Sequence, residues 1–143
     1  MCQLIYIGSS ADLGELPFNA VAPGFYYRRI TSDEQGYDSV QRLLPLPYLY
    51  FMGGSQGCSC TLTYTEPWEN APELNAEREI AMAEVGRMLT FLNEQLQRAE
   101  LLLLCTWWDK AEAKMDVTET YMLTGLGDTF EFPLDKVLRL QSR

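Results

Sequence analysis

Histidine is absent from the 143 residues of this chain. Its absence excludes Ser-His-Asp and Cys-His catalysis, zinc sites with histidine ligands and the imidazole pH switch. Basic residues are scarce, since 11 lysines and arginines face 20 acidic residues and leave a formal net charge of -9. Such a surface repels phosphate backbones and anionic lipid headgroups, and Arg28–Arg29 is the one adjacent basic pair. We therefore expect neither a nucleic acid nor a membrane as partner.

The sequence also lacks a long hydrophobic run. The most apolar segment, Leu101–Cys105, is far shorter than the roughly 20 residues of a membrane-spanning helix. The first residues, Met1–Ile7, carry no basic leader, and their apolar run is too short for a signal peptide. We therefore expect a cytoplasmic protein whose four cysteines are reduced thiols rather than disulfides.

The chain contains enough apolar residues to form a hydrophobic core, since 47% of its residues are hydrophobic. A chain of this length predicts one domain, and no repeat, low-complexity tract or linker divides residues 1–143. Two helices are predicted. Thr31 and Glu34 match a capping box that opens a helix over Ser32–Leu44, and apolar residues at three- and four-residue spacing predict a helix over Glu77–Arg98.

Apolar and β-prone segments predict the strands. We expect strands at Gln3–Ile7, Phe25–Ile30, Tyr48–Met52, Leu101–Trp107 and from Phe130 onward, and a weaker strand at Thr61–Tyr64. Residues 115–123 form either a strand or a short helix. The pattern indicates an α+β domain with a mixed β-sheet of about five or six strands and the two main helices packed on one face. Strands joined through a helix are expected to form parallel pairs.

A glycine-rich segment follows the third predicted strand. Its residues are Gly53, Gly54, Ser55, Gln56 and Gly57. Glycines allow positive φ and close approach of the backbone, so this loop is a candidate anion or ligand cradle. The plain interpretation is a tight turn or bulge between two strands. Trp68, in a nearby predicted loop, completes the set of ligand-binding candidates.

Cys58 and Cys60 come directly after that segment. On a turn the two thiols can converge on one metal ion, but a structural zinc site needs four ligands. A redox role requires a lowered thiol pKa, for which the flanking sequence supplies no basic residue. The alternative is that the cysteines are small buried residues.

Cys2 is the third candidate thiol, because it opens the first predicted strand. It meets the Cys58–Cys60 triplet if the first and third strands run antiparallel, or if the weak strand folds the triplet back. Cys105 approaches only if its strand runs parallel to the third, and we expect it to be a core residue. If Met1 is removed, Cys2 is also a candidate N-terminal nucleophile that needs no histidine.

The opening Met-Cys-x-x-Ile-Tyr-Ile and the later Gly-Gly-Ser-Gln-Gly-Cys-x-Cys are found together in this chain. With Phe25-Tyr26 and Pro47–Tyr50, they make it resemble a family of small uncharacterised bacterial proteins. The resemblance implies a bacterial, cytosolic setting and no particular activity. It also implies that Cys2, Cys58 and Cys60 belong to one set of motifs.

These observations favour a small acidic soluble protein that acts as a non-enzymatic binding or regulatory module. Its ligand would be a small molecule or a protein partner, and no catalytic constellation is recognised. The alternative is a thiol-dependent redox or metal-binding protein that uses Cys58 and Cys60 together with Cys2.

Aromatic-rich strands such as Phe25–Ile30 leave adhesive edges where a small sheet does not cover them. We therefore expect a homodimer, although the negative charge opposes close contact. Sedimentation should show a dimer at high protein concentration and moderate salt, and a monomer alone under those conditions would contradict the prediction.

Overall fold

The computed structural model describes residues 2–64, 75–107, 118–123, 125–127 and 129–142. These residues form one six-stranded sheet and two α-helices. The elements are β1 (Gln3–Ser9), β2 (Tyr26–Arg29), α1 (Tyr37–Leu43), β3 (Tyr48–Gly53), a 3-10 helix (Ser59–Leu62), α2 (Asn75–Leu96), β4 (Leu101–Trp107), β5 (Thr118–Met122) and β6 (Val137–Gln141). The predicted α+β class with a mixed sheet is confirmed.

The strands lie in the order β2-β3-β1-β4-β6-β5. Every neighbouring pair is antiparallel except β5 and β6, which are parallel. The predicted parallel pairs across the helices are therefore wrong. β2 and β3, which flank α1, are antiparallel neighbours, and β1 separates β3 from β4. The apolar strand β1 takes an antiparallel partner on each edge, so β4 does not pair with β3.

The two helices cover opposite faces of the sheet. Successive strand residues point to opposite faces, and Ile5 packs in the core that includes Val85 of α2. Its neighbour Leu4 packs in the second core, which includes Val40 of α1. The prediction that both helices pack on one face is wrong. The central strands are apolar on both faces, so each face needs its own cover.

Helix α1 begins at Tyr37, later than predicted. The Glu34 carboxylate does accept a hydrogen bond from the Thr31 backbone N–H at 2.7 Å, as in a capping box. The chain there forms a turn instead of a helix, and Gly36 at the N-cap is left-handed with φ 83°. Because a helix does not continue through that conformation, the helix starts only after Gly36.

The weak strand predicted at Thr61–Tyr64 is also wrong. Ser59–Leu62 form a 3-10 helix, and Tyr64 makes an isolated antiparallel bridge to Phe130. The last strand begins at Val137 instead of Phe130. Asp135 has φ 56°, which is outside the β region and interrupts the extended chain before β6.

Helix α2 occupies Asn75–Leu96, within two residues of the predicted bounds. Within the predicted segment 115–123 the strand alternative is confirmed for Thr118–Met122, while 115–117 lie outside the described residues. Among the helices described, none has the length and apolar character needed to cross a membrane.

Leu89 lies on the buried face of α2 and is 6% exposed. Replacing it with alanine should lower the free energy of unfolding by roughly 2–5 kcal/mol, because a buried leucine leaves a cavity. Denaturant titration measures the change. The exposed neighbour Thr90 supplies the control, since Thr90→Ala should change stability by less than about 0.5 kcal/mol. Equal effects of the two variants on stability would contradict the burial of Leu89 and the exposure of Thr90.

Candidate functional site

Three cysteines from distant parts of the chain meet at one end of the sheet. The Sγ atoms of Cys2, Cys58 and Cys60 all lie within 4.8 Å of one another. Cys2 precedes β1, and the other two follow β3. Because β1 and β3 are antiparallel, the start of one strand lies beside the end of the other. The predicted condition for this meeting is therefore fulfilled.

The glycine-rich segment forms a tight turn that leads into the cysteines. The Gly54 N–H donates to the Cys58 carbonyl at 2.8 Å, and the Gly57 N–H donates to the Gly54 carbonyl at 2.9 Å. Gly57 has φ 78°, a left-handed conformation that glycine adopts without strain. The backbone N–H of Ser55 donates to a Glu84 oxygen at 2.8 Å. These three amides have partners within the protein, which favours the turn interpretation over an anion cradle.

Ser59 anchors the two cysteines that flank it. Its hydroxyl accepts a hydrogen bond from the Ile5 N–H at 2.9 Å and donates one to the Met52 carbonyl at 2.5 Å. Ile5 and Met52 face each other across β1 and β3, so a single buried hydroxyl joins the loop to both strands. The backbone of Cys58 and Cys60 is thereby held against the end of the sheet.

Glu84 is a residue of this region that sequence reasoning missed. It lies on α2, is 3% exposed, and its second oxygen, Oε2, has no hydrogen-bond partner. The Thr61 hydroxyl is buried and unpartnered as well. A Cβ on Gly54 would lie 1.8 Å from that hydroxyl, so only glycine fits there. The sequence does carry a signal for the burial of Glu84. This residue lies four residues before the buried Met88 and so shares its face of the helix.

Burial controls the protonation of two of the thiols. Loss of hydration raises the pKa of Cys60 to about 11, and the neighbouring Cys58 and Cys2 thiols add to the increase. A hydrogen bond from the Gln3 backbone to Cys60 acts in the opposite direction. Burial likewise raises the pKa of Cys105 to about 12. Both groups are therefore neutral thiols at neutral pH.

Cys105 is not part of the cluster. Its strand, β4, is antiparallel to β1 and so runs in the same direction as β3, which was the condition for its approach. However, Cys105 pairs with Ile5 and its side chain is fully buried in the core that includes α2. The prediction that Cys105 is a core residue is confirmed.

A cleft of about 420 Å³ adjoins the cysteine cluster on the α1 face of the sheet, and Cys2 and Cys58 line it. Arg28 and Glu34 also line the cleft and form an ion pair at 2.6 Å, with both side chains partly exposed. The Arg28 guanidinium lies over the Phe51 ring, 5.3 Å from its centroid. The cleft therefore combines thiols, an apolar floor and one charged pair.

Two tyrosines complete the walls of the cleft. The Tyr26 hydroxyl donates to the Gly57 carbonyl at 2.7 Å and so ties β2 to the glycine turn. Tyr6 packs edge-on against Phe51 with ring centroids 5.8 Å apart. Burial raises the pKa of Tyr6, so its hydroxyl is a neutral donor. Of the other predicted ligand-binding residues, Gln56 is exposed and Trp68 lies outside the described residues.

Exposure and protonation together predict the order of thiol reactivity. Brief alkylation of folded protein should label the exposed Cys2 first and the partly buried, neutral Cys60 more slowly. It should leave Cys105 unmodified, because Cys105 is buried and neutral. Mass mapping of the modified peptides measures the order. Under denaturant all four thiols should react, and early labelling of Cys105 in the folded protein would contradict the prediction.

Comparison of the chain with protein-family models, curated proteins and solved structures found no match.

Proposed function

We propose that this protein binds a thiophilic metal ion through Cys2, Cys58 and Cys60. The observation that carries the proposal is the convergence of the three Sγ atoms to within 4.8 Å of one another. These residues come from two segments that are far apart in the chain, so the spacing of the motif alone does not produce the cluster.

The chemistry of the cluster suits zinc or another soft metal ion. Thiolates are preferred ligands of Zn²⁺ and Cu⁺. A tetrahedral zinc ion with Zn–S bonds of about 2.3 Å holds its sulfur ligands about 3.8 Å apart. The three thiols would need to move by no more than about 1 Å toward one another, which side-chain rotation supplies.

The surroundings favour binding of an ion from solution. The turn at Gly54–Gly57 and the Ser59 hydroxyl hold two of the ligands in place before the ion arrives. Cys2 is exposed and leaves the cluster open to solvent. A bound cation favours the thiolate form, which reverses the effect of burial on Cys60.

A metal site of this kind corresponds to the alternative drawn from the sequence, a thiol-dependent redox or metal-binding protein, and not to the first expectation of a module for a small molecule or protein partner. Within that alternative, Cys60 is poorly suited to a redox role, because a thiol with a pKa of about 11 supplies little thiolate for disulfide exchange at neutral pH. A bacterial cytosolic setting, the absence of nucleic-acid and membrane partners, and the homodimer remain predictions.

Metal titration with single variants tests the proposal. Reduced wild-type protein should bind one Zn²⁺ or Co²⁺, with thiolate-to-cobalt charge-transfer absorption. Replacing any of the three clustered cysteines with serine should weaken binding at least about a hundredfold, because a soft ligand is lost. Cys105→Ala is the matched control and should bind as wild type does, since its thiol lies outside the cluster.

The pH dependence of metal affinity is a second test of the site. Because Cys60 is protonated below about pH 11, metal must displace its proton, and affinity should fall at least about tenfold per unit of decreasing pH. Equal affinity of wild type and the three serine variants would refute the site.

A further inference from the structure

We propose that the cleft beside the cysteine cluster binds a small organic thiol that carries a carboxylate, whose sulfur becomes the fourth ligand of the metal ion. The inference rests on the proposed metal site and names the ligand that completes it. The class of ligand follows from the groups at the two ends of the cleft.

A metal ion held by the three cysteines would have one coordination position left for a further soft donor. Cys2 and Cys58 both line the cleft, so an ion held between them lies at its wall. Three protein thiolates leave one position of a tetrahedral ion for an exogenous ligand. A fourth sulfur gives the all-sulfur set that zinc commonly adopts in proteins.

The other end of the cleft offers a group that recognises carboxylate. Arg28 is the basic residue of the cleft lining, and its fork of N–H donors matches a carboxylate. It is held by Glu34 in a partly exposed ion pair, so an incoming carboxylate competes with Glu34 for the same guanidinium. Tyr6 lines the same region and supplies a neutral hydroxyl donor.

The apolar lining of the cleft is suited to a short hydrocarbon body. This lining includes Leu4, Ile30, Val40 and Phe51, all of which are buried core residues. The volume of about 420 Å³ lies in the range typical of small-molecule sites. A ligand with sulfur at one end, carboxylate at the other and a short apolar chain between them matches this arrangement.

Binding is a ligand substitution without oxidation or reduction. The S–H bond of the incoming thiol breaks, its proton passes to solvent, and the sulfur displaces the water bound to the metal ion. The carboxylate stays ionised and forms an ion pair with Arg28. No oxidant and no further reactant is required.

The experiment uses reduced protein loaded with one equivalent of Co²⁺, with retention of the metal checked after each titration. The probes are 3-mercaptopropionate, its methyl ester, which keeps the thiol but lacks the charge, and propionate, which lacks the thiol. We expect 3-mercaptopropionate to bind about two- to fivefold more tightly than the ester, as an added charge-assisted contact at a partly exposed guanidinium provides. Propionate should leave the cobalt charge-transfer absorption unchanged.

Variants at the far end of the cleft identify the carboxylate partner. Arg28→Gln should abolish the preference for the acid over the ester. Glu34→Gln should increase that preference about threefold or more, because the competing carboxylate is gone. Arg29→Gln is the matched control, since Arg29 lies over the Tyr48 ring and is not part of the cleft lining. A merely structural role for the Arg28–Glu34 pair would not give effects of opposite sign.

The possible failures are distinguishable. If Co²⁺ binds to the cysteine cluster but the acid and the ester bind equally, the ligand inference is wrong and the metal site stands. The same holds if Glu34→Gln lowers the preference for the acid. If unliganded protein does not bind Co²⁺ at all, the metal site and the ligand inference fail together.

Discussion

The antiparallel pairing of β1 with β3 is the contact on which the candidate site depends. It places the residue before β1 beside the residues after β3, which brings Cys2 to Cys58 and Cys60. The Ser59 hydroxyl extends this pairing, because it bonds to the backbone of both strands. Loss of that buried hydroxyl would remove one hydrogen bond from each strand, and a buried polar group that is left unpaired costs about 1–3 kcal/mol.

The glycine turn is held from the other side by α2. A buried carboxylate is unfavourable unless it is hydrogen-bonded, and Glu84 obtains its bond from the Ser55 backbone. Gly54 makes this close approach feasible, since a side chain there would overlap Thr61. The loop that carries the cysteines is therefore fixed by the sheet, by its own turn and by a helix.

Placement of the helices on opposite faces creates the cleft. The segment before α1 and its first turn, including Gly36 and Tyr37, form one wall over β1, β2 and β3. On the α2 face, core residues that include the buried Cys105 pack over β1, β3 and β4. The thiols of Cys2 and Cys58, at the end of the sheet, thus open into the cleft on the α1 side.

The sequence by itself determined the central strands, the long helix and the core position of Cys105, because hydrophobic runs and helical spacing are local properties. It named Cys2, Cys58 and Cys60 but left their meeting conditional on strand direction. It misplaced the start of α1 and the face of one helix, and it missed Glu84. Those features were decided by the tertiary structure, since strand direction, the choice of face and the burial of a polar side chain depend on contacts between distant segments.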